Sequence, residues 1–507
     1  MGNSLTTLAI AVALVSLALA SRMLFTTCVS ATFPPGPKGL PFIGNIFDMP
    51  SEKEWHTFTR WGEKYGKITS PLFSYSHTYV ISFLSRRPYL GFGPWTTHGS
   101  DKHCPDGYQH AGQESAIYSD RPIMALGGEL IGWKFSFVLM RYGSHFRDSR
   151  RRVHQIFGTN AAFKQFLLIV ELEAHRFLKR ISTKPEDFLQ EIQRMNVANI
   201  MQISYGYEIQ EKNDPFAGLA NEAAHHFALS TTPGTFLVNI IPILRHIPDW
   251  FPGAGFKRTA KEWRSTLQEL MEQPYNYAKQ QIAAEHARYS FTSSQLEDGI
   301  SSDKEFDIKW SAATMYTVAS IYAFFKAMLL YPDIQAKAQA EIDAVVGNDR
   351  LPRFDDRDHL PYINALALEV IRWHTVEPLG LPHSVTEDDV QSGYLIPKGS
   401  VVIANIWNML HDPAVYDKPF EFMPERFIRM DGKEPQMNPH KMAFGFGRRI
   451  CPGKLLADAS MFISCAMVLA VLNISQYYEN EVLSETNTEH TAGTVRQDSF
   501  LTSKDHY

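Results

Sequence analysis

Apolar and polar positions follow different rhythms along this chain, and each rhythm predicts a different element. Leu5 to Ala20 is uncharged and mostly apolar, and the apolar character returns at Met23 to Phe25. Trp55 to Tyr65 repeats apolar residues at the helical period, and Lys67 to Phe73 with Thr78 to Phe83 reads as a pair of strands. From Arg86 to Gln113 neither period holds; Gly, Pro, His and isolated aromatics follow one another. Ala161 to Arg288 is helical in pattern, broken near Pro233-Gly234 and Pro252-Gly253. Trp310 to Tyr331 is the most apolar helical stretch of the body and stops at Pro332. Leu360 to Thr375 is a further helix, Gly393 to Gly399 reads as turn, strand and turn, and Leu455 to Leu472 as an apolar helix. After Tyr477 the chain is polar. The expected architecture is mainly α with a small β region. It divides into an apolar segment over 1–25, a spacer over 26–45 and one globular domain over 46–507.

The first apolar segment is just long enough to cross a bilayer at about 1.5 Å per residue. Two readings fit it. Ala18-Leu19-Ala20 resembles a signal-peptide cleavage site. An uncleaved anchor is the alternative, and with Arg22 and Lys38 after the run and no Lys or Arg before it, the body is left on the cytoplasmic side. Pro34-Pro35-Gly36-Pro37 then stiffens the chain into an extended spacer.

Composition narrows the function classes. The chain has 507 residues, a formal charge of −5 and no long basic run, which argues against a nucleic-acid partner. Its four cysteines, Cys28, Cys104, Cys451 and Cys465, have neither paired nor zinc-type spacing.

One of those cysteines carries the candidate chemistry. Phe444-Gly445-Phe446-Gly447-Arg448-Arg449-Ile450-Cys451-Pro452-Gly453 sets Cys451 in a glycine-rich turn at the start of an apolar helix. Glycines admit backbone angles closed to other residues, so a flat group can approach the chain. A lone cysteine is more often inert and buried. Two neighbouring cations and a helix start are expected to favour its thiolate, the ligand that pushes heme iron toward O–O cleavage. Upstream, Phe146, Arg150 and His154 recur at i+4 on one helix face; a solvated basic helix shows the same pattern. Glu369 and Arg372 lie at i, i+3 on an apolar helix and can pair while buried, and Pro424-Glu425-Arg426-Phe427 offers a second cation. Pro382-His383-Ser384 precedes an acidic turn.

Together these segments resemble the cytochrome P-450 family, closest to the fungal microsomal type. Phe444, Gly447, Arg449, Cys451 and Gly453 match its pattern Phe-x-x-Gly-x-Arg-x-Cys-x-Gly. The resemblance implies heme b, with Cys451 as axial iron ligand and Arg449 paired to a propionate. It also implies that Arg150 and His383 lie at the propionates, with Phe146 where the family has Trp. Glu369, Arg372 and Arg426 would form a buried network bracing the cysteine loop. The implied activity is hydroxylation of small apolar compounds, such as polycyclic aromatics or terpenoids. Dioxygen would be the oxidant, and electrons would come from NADPH through a reductase docked on the basic face. The implied location is the endoplasmic reticulum membrane, crossed once, with the catalytic domain facing the cytoplasm.

The central helix departs from the family. Its Gly-x-Asp/Glu-Thr segment, which gives oxygen room and protons, has no counterpart: Trp310 to Tyr331 contains no Gly, Asp or Glu. The flanks suggest a deletion of about six residues around Thr317, roughly 1.7 helical turns. Thr317 is the hydroxyl left for the catalytic position. The alternatives are a heme-binding protein impaired in oxygen activation, or a faulty gene model, which would also explain Arg86 to Gln113.

Overall fold

The computed structural model describes residues 33–40, 45–50, 52–66, 68–70, 72–73, 77–82, 116–232, 235–296, 301–313, 321–430, 432–475, 478–479 and 482–483. The apolar segment 1–25, Arg86 to Gln113, Thr317 and most of the polar tail lie outside the described residues.

The described chain is mainly helical with small sheets. The Lys454–Val471 helix lies at the centre because it is apolar all round; Ala459 to Leu469 are all buried. It packs on helices Leu167–Thr183, Pro332–Val345 and Pro361–Trp373. Among the described residues it alone is long and apolar enough to cross a membrane, and 67% of it is buried in the protein interior, which makes it a core helix. The Phe188–Tyr205 helix is likewise buried on every side from Asn196 onward. Its last turn ends at Gly206, whose φ of 68° is open to glycine at little cost. Pro332 and Pro361 stand at helix starts, where a missing N–H is harmless.

The expected strand pair forms. In the main sheet β3 (His77–Ser82) pairs antiparallel with β1 (Ile68–Thr69) and β2 (Leu72–Phe73). β3 also runs parallel to β7 (Val401–Ala404), Tyr79 opposite Val401 and Ser82 opposite Ala404. β4 (His383–Ser384) closes the other side of β7. Val401, Val402 and Ile403 are buried in succession, as suits a covered strand. β5 (Asp389–Gln391) and β6 (Tyr394–Ile396) form a hairpin through Ser392 and Gly393, both at positive φ, the geometry of a two-residue loop. The sheet thus joins residues near 80 to residues near 400 and sets β4 beside the turn that precedes it.

The stretch from Trp310 to Tyr331 falls in two described helices, Ser302–Ala313, mostly buried from Asp307 onward, and Ile321–Leu330, mostly buried.

Candidate active site

Gly445 and Gly447 adopt φ of 72° and 52°, and this reverses the chain so that the Cys451 N–H reaches the Phe444 carbonyl at 2.8 Å. Gly453 caps the following helix at an ordinary φ of −81°. Phe444 meets the ring of His440 edge-on at 5.0 Å. The loop is thereby closed, with Cys451 at its end.

Behind the loop, Glu369, Arg372 and Arg426 come together. Arg372 donates from Nε and Nη2 to the two Glu369 carboxylate oxygens at 2.7 and 2.8 Å. Arg426 Nε donates to Glu369 Oε1 at 3.1 Å, and the Met423 N–H to the same oxygen at 2.8 Å. The remaining guanidinium donors reach the carbonyls of Leu410, Pro419, Asp417 and Lys418, among others. The side chains are 0%, 0% and 1% exposed. A buried charge group of this kind is tolerated only when its hydrogen bonds are complete, and here they tie the Pro361–Trp373 helix to the segment leading into the loop.

A second group of cations includes Arg449, two residues before Cys451. Arg449 donates to the carbonyls of Ser119, Phe137 and Met140 at 2.7, 3.2 and 2.8 Å, and its guanidinium sits 3.7 Å over the Phe146 ring. Arg121 donates to Val138, Leu381 and Pro382. His383 holds the Tyr118 carbonyl 2.7 Å from Nδ1, which assigns the proton to Nδ1 in the neutral ring. Burial, then Arg121 and later Arg449, keep its pKa well below the usual histidine range. Burial also disfavours the charge on Arg449, and Arg121 and Arg150 act in the same direction, while Asp120 partly opposes them. The nearby carboxylate is Asp120. Burial opposes its ionisation, but Arg141 and the Tyr142 amide outweigh this and hold its pKa below the usual range. Both Asp120 oxygens are already engaged by those two groups. Arginine keeps its proton throughout the accessible pH range, so this buried cluster fits a ligand that brings its own anionic groups.

The sulfur departs from expectation. Burial pushes the Cys451 thiol up; the Gly453 amide, Arg150 and Lys454 only partly oppose it. The two adjacent arginines, expected to favour the thiolate, are not among these influences. Arg449 is turned toward Phe146, and Arg448 donates to the Tyr142 hydroxyl at 2.6 Å. Side chains two and three positions before the sulfur point out of the turn. The cations felt at it are Arg150, from the Ser144–Phe157 helix, and Lys454, from the helix that follows. A bound metal ion would complete the deprotonation outright.

The fold and these groups agree with the comparisons to known proteins. A family model described as cytochrome P450 matches residues 102–499. Cytochrome P450 monooxygenase 208 of Postia placenta is 45% identical over 468 residues, covering 91% of this chain and 88% of its own. Cytochrome P450 monooxygenase claR of Ampulloclitocybe clavipes is 41% identical over 472 residues, 92% of this chain and 84% of that protein. Aspergillus oryzae ppsD, another cytochrome P450 monooxygenase, is 35% identical over 480 residues, with coverage of 91% and 86%. The chain belongs to the cytochrome P450 family. Its cofactor is heme b, and its activity is that of an oxidoreductase of the monooxygenase type. The two carboxylates of heme b are the kind of anion that the cationic cluster lacks.

The sequence-derived positions distribute unevenly around this P450 site. Cys451, Arg449, Arg150 and His383 converge. His154 is exposed, one turn beyond Arg150, with its ring against Gly158, and its charge is not among those felt at Cys451 or Arg449. Thr317 lies outside the described residues. Sequence reasoning missed Arg121. It also missed Glu377, a half-buried acid whose charge is felt at Cys451.

Proposed function

We propose that this chain is a microsomal heme-thiolate monooxygenase. It hydroxylates small apolar compounds of secondary or xenobiotic metabolism, polycyclic aromatics or terpenoids among them, with electrons from NADPH through NADPH–cytochrome P450 reductase. The observation that carries this reading is the pairing of the glycine-formed Cys451 loop with the anion-deficient cluster of Arg121, Arg150, Arg449 and His383. When bound, heme supplies the dioxygen-activating chemistry. Cys451 would hold its iron through the sulfur, and Arg150 and Lys454 would stabilise the sulfur's charge. Arg121, Arg449 and His383 would receive the propionates. Glu369, Arg372 and Arg426 would hold the loop still while electrons arrive. A single N-terminal span in the endoplasmic reticulum membrane, with the catalytic domain on the cytoplasmic face, suits such a reductase partner.

Two measurements test the proposal. The reduced, carbon monoxide-bound protein is expected to show the thiolate-type absorption, and Cys451→Ser to lose it. Reconstitution with the reductase is expected to give NADPH-dependent product. Carbon monoxide binding without the thiolate signature would end the proposal.

A second reading has its own support in Trp310 to Tyr331, where no Gly, Asp or Glu stands. There the protein binds heme but activates oxygen poorly, since general acid–base help is worth about 10²–10⁴ in rate. Thiolate-type absorption with NADPH consumed and no product would favour it. Sequencing the transcript across Arg86–Gln113 and Met315–Ser320 tests the faulty gene model.

A further inference from the structure

A cavity of about 540 Å³ opens to solvent between the Ala125–Ile131 turn, the Gly255–Ala283 helix and the Ser302–Ala313 helix. Its floor is apolar: Ile131, Leu267, Met271 and Trp310 line it and are buried. Phe135 and Phe306 also line it, yet are 40% and 44% exposed. Single exposed apolar side chains are ordinary, but these two belong to one cluster. Phe135 meets Phe306 edge-on at 5.3 Å and tilts against Trp310 at 5.6 Å, and Phe306 lies 6.2 Å from Trp310. Three aromatic rings thus border one open space.

The wall leading to Phe135 is unusual. Ala125–Ile131 forms a π-helical turn that ends at Gly132, at a φ of 116°. Such turns are rare and collect at functional sites. The Asn239 side chain holds this one, its Oδ1 accepting from the Leu126 N–H at 3.0 Å. The same stretch runs on into Phe137 and Met140, whose carbonyls receive Arg449. The cavity therefore adjoins the P450 site along the chain, but Cys451 is not among its lining residues.

The charges around the cavity leave one cation over. Lys134 holds Glu129 at 2.8 Å, Lys309 holds Glu272 at 2.8 Å, and Lys279 holds Glu305 at 3.0 Å. Arg264 lines the cavity too. It donates to the Glu129 carbonyl at 3.3 Å, and among the described residues no carboxylate stands within ion-pair distance of it. A guanidinium offers a planar fork of donors that matches a carboxylate. Clefts of roughly 300–1,000 Å³ with apolar walls and a few orienting polar groups suit small molecules. A hydrocarbon would leave Arg264 without an anion, and an aliphatic acid would forgo the ring contacts.

We infer that this cavity is a second small-molecule site, which takes a flat aromatic carboxylate. The ligand's rings lie against Phe135, Phe306 and Trp310, and its carboxylate meets Arg264. Binding there needs nothing from Cys451, so it stands apart from the heme-thiolate reading.

The test is calorimetric titration of the full-length, heme-loaded protein at low ionic strength, with 2-naphthoate and with its neutral isostere 2-naphthamide. Wild type is expected to bind both, and the acid about three- to tenfold more tightly, the range for a solvent-accessible charged hydrogen bond. R264Q should lose that preference and keep its affinity for the amide. F306A removes a ring already 44% exposed, and should weaken both probes by about three- to tenfold. Added salt should narrow the wild-type preference and leave R264Q unchanged. An undiminished preference for the acid in R264Q overturns the inference, because the carboxylate then rests elsewhere. So does binding by a folded F306A as tight as wild type, or the absence of saturable binding by wild type. Circular dichroism melts check that both variants are folded. Should F306A melt early, R264Q decides the matter alone, since Arg264 sits on an exposed helix face.

Discussion

Two buried groups of cations flank the cysteine loop, and they differ in one respect. Arg372 and Arg426 share the carboxylate of Glu369, and their other donors reach main-chain carbonyls. Arg121, Arg150, Arg449 and His383 have carbonyl partners in part, but their nearest carboxylate, Asp120, is already occupied by Arg141 and the Tyr142 amide. The first group holds its own carboxylate in direct hydrogen bonds. The second feels Asp120 only through space, at Arg121 and Arg449. A buried charge that finds its counter-ion in the chain contributes to the fold, and one that does not marks a binding site.

The largest expected break in this comparison is Glu369→Ala. It strands two buried guanidinium groups and should cost about 3–5 kcal/mol. The protein should unfold far below the wild-type temperature, or fail to retain heme, in thermal melts followed by circular dichroism and heme absorbance.

Arg150→Met should instead give opposite signs in two states. Without heme it removes a half-buried charge that burial disfavours, so stability should hold or rise. With heme it removes a partner of the cofactor and the sulfur, and should cost about 1–3 kcal/mol. Melts of the heme-free and heme-loaded forms check both. A loss of equal size in the two forms would show that Arg150 serves the fold alone.

His383 sharpens the contrast through pH. Its folded pKa is depressed, so between that value and the unfolded value near 6.5 the unfolded chain binds a proton that the folded chain does not. Stability of the heme-free protein is then full above about pH 6.5 and falls as the pH drops below it. His383→Gln should flatten that decline. The heme-loaded protein should show less of it, because propionates favour the protonated ring.

At the bottom of the scale stand exposed pairs such as Arg151 with Asp148, 72% and 45% exposed. Asp148→Asn should change stability by less than about 0.5 kcal/mol, heme or no heme.

Much of the brace was legible along the chain. Glu369 and Arg372 share a helix face at i, i+3, a spacing that survives any packing, and the apolar helix around them signalled burial. Cys451 was legible because glycines at 445 and 447 and proline at 452 dictate a turn wherever the loop sits. The strands near 68–82 followed from their alternation, and the Ser392-Gly393 pair was a hairpin signal that went unused. The cationic cluster was only half legible. Arg121 and Glu377 are polar residues in irregular segments, and nothing local distinguishes a buried one from a solvated one. His154 shared the expected helix face with Arg150, but it is exposed while its neighbours Val153, Ile156 and Phe157 are buried. Arg448 and Arg449 stand beside Cys451 in sequence but turn toward Tyr142 and Phe146 in space, so adjacency does not show which cations the sulfur meets.

Local residue order was enough to specify helices, turns, the Cys451 loop and the Glu369–Arg372 pair, since these depend on spacing of a few residues and on backbone geometry. Long-range packing settled the rest. It paired β3 with β7, brought Arg121 and Arg449 within reach of one another, left them short of an anion, and withdrew the Glu377 oxygen from water. Charge and desolvation act through space, and the distances that govern them exist only once the chain has folded.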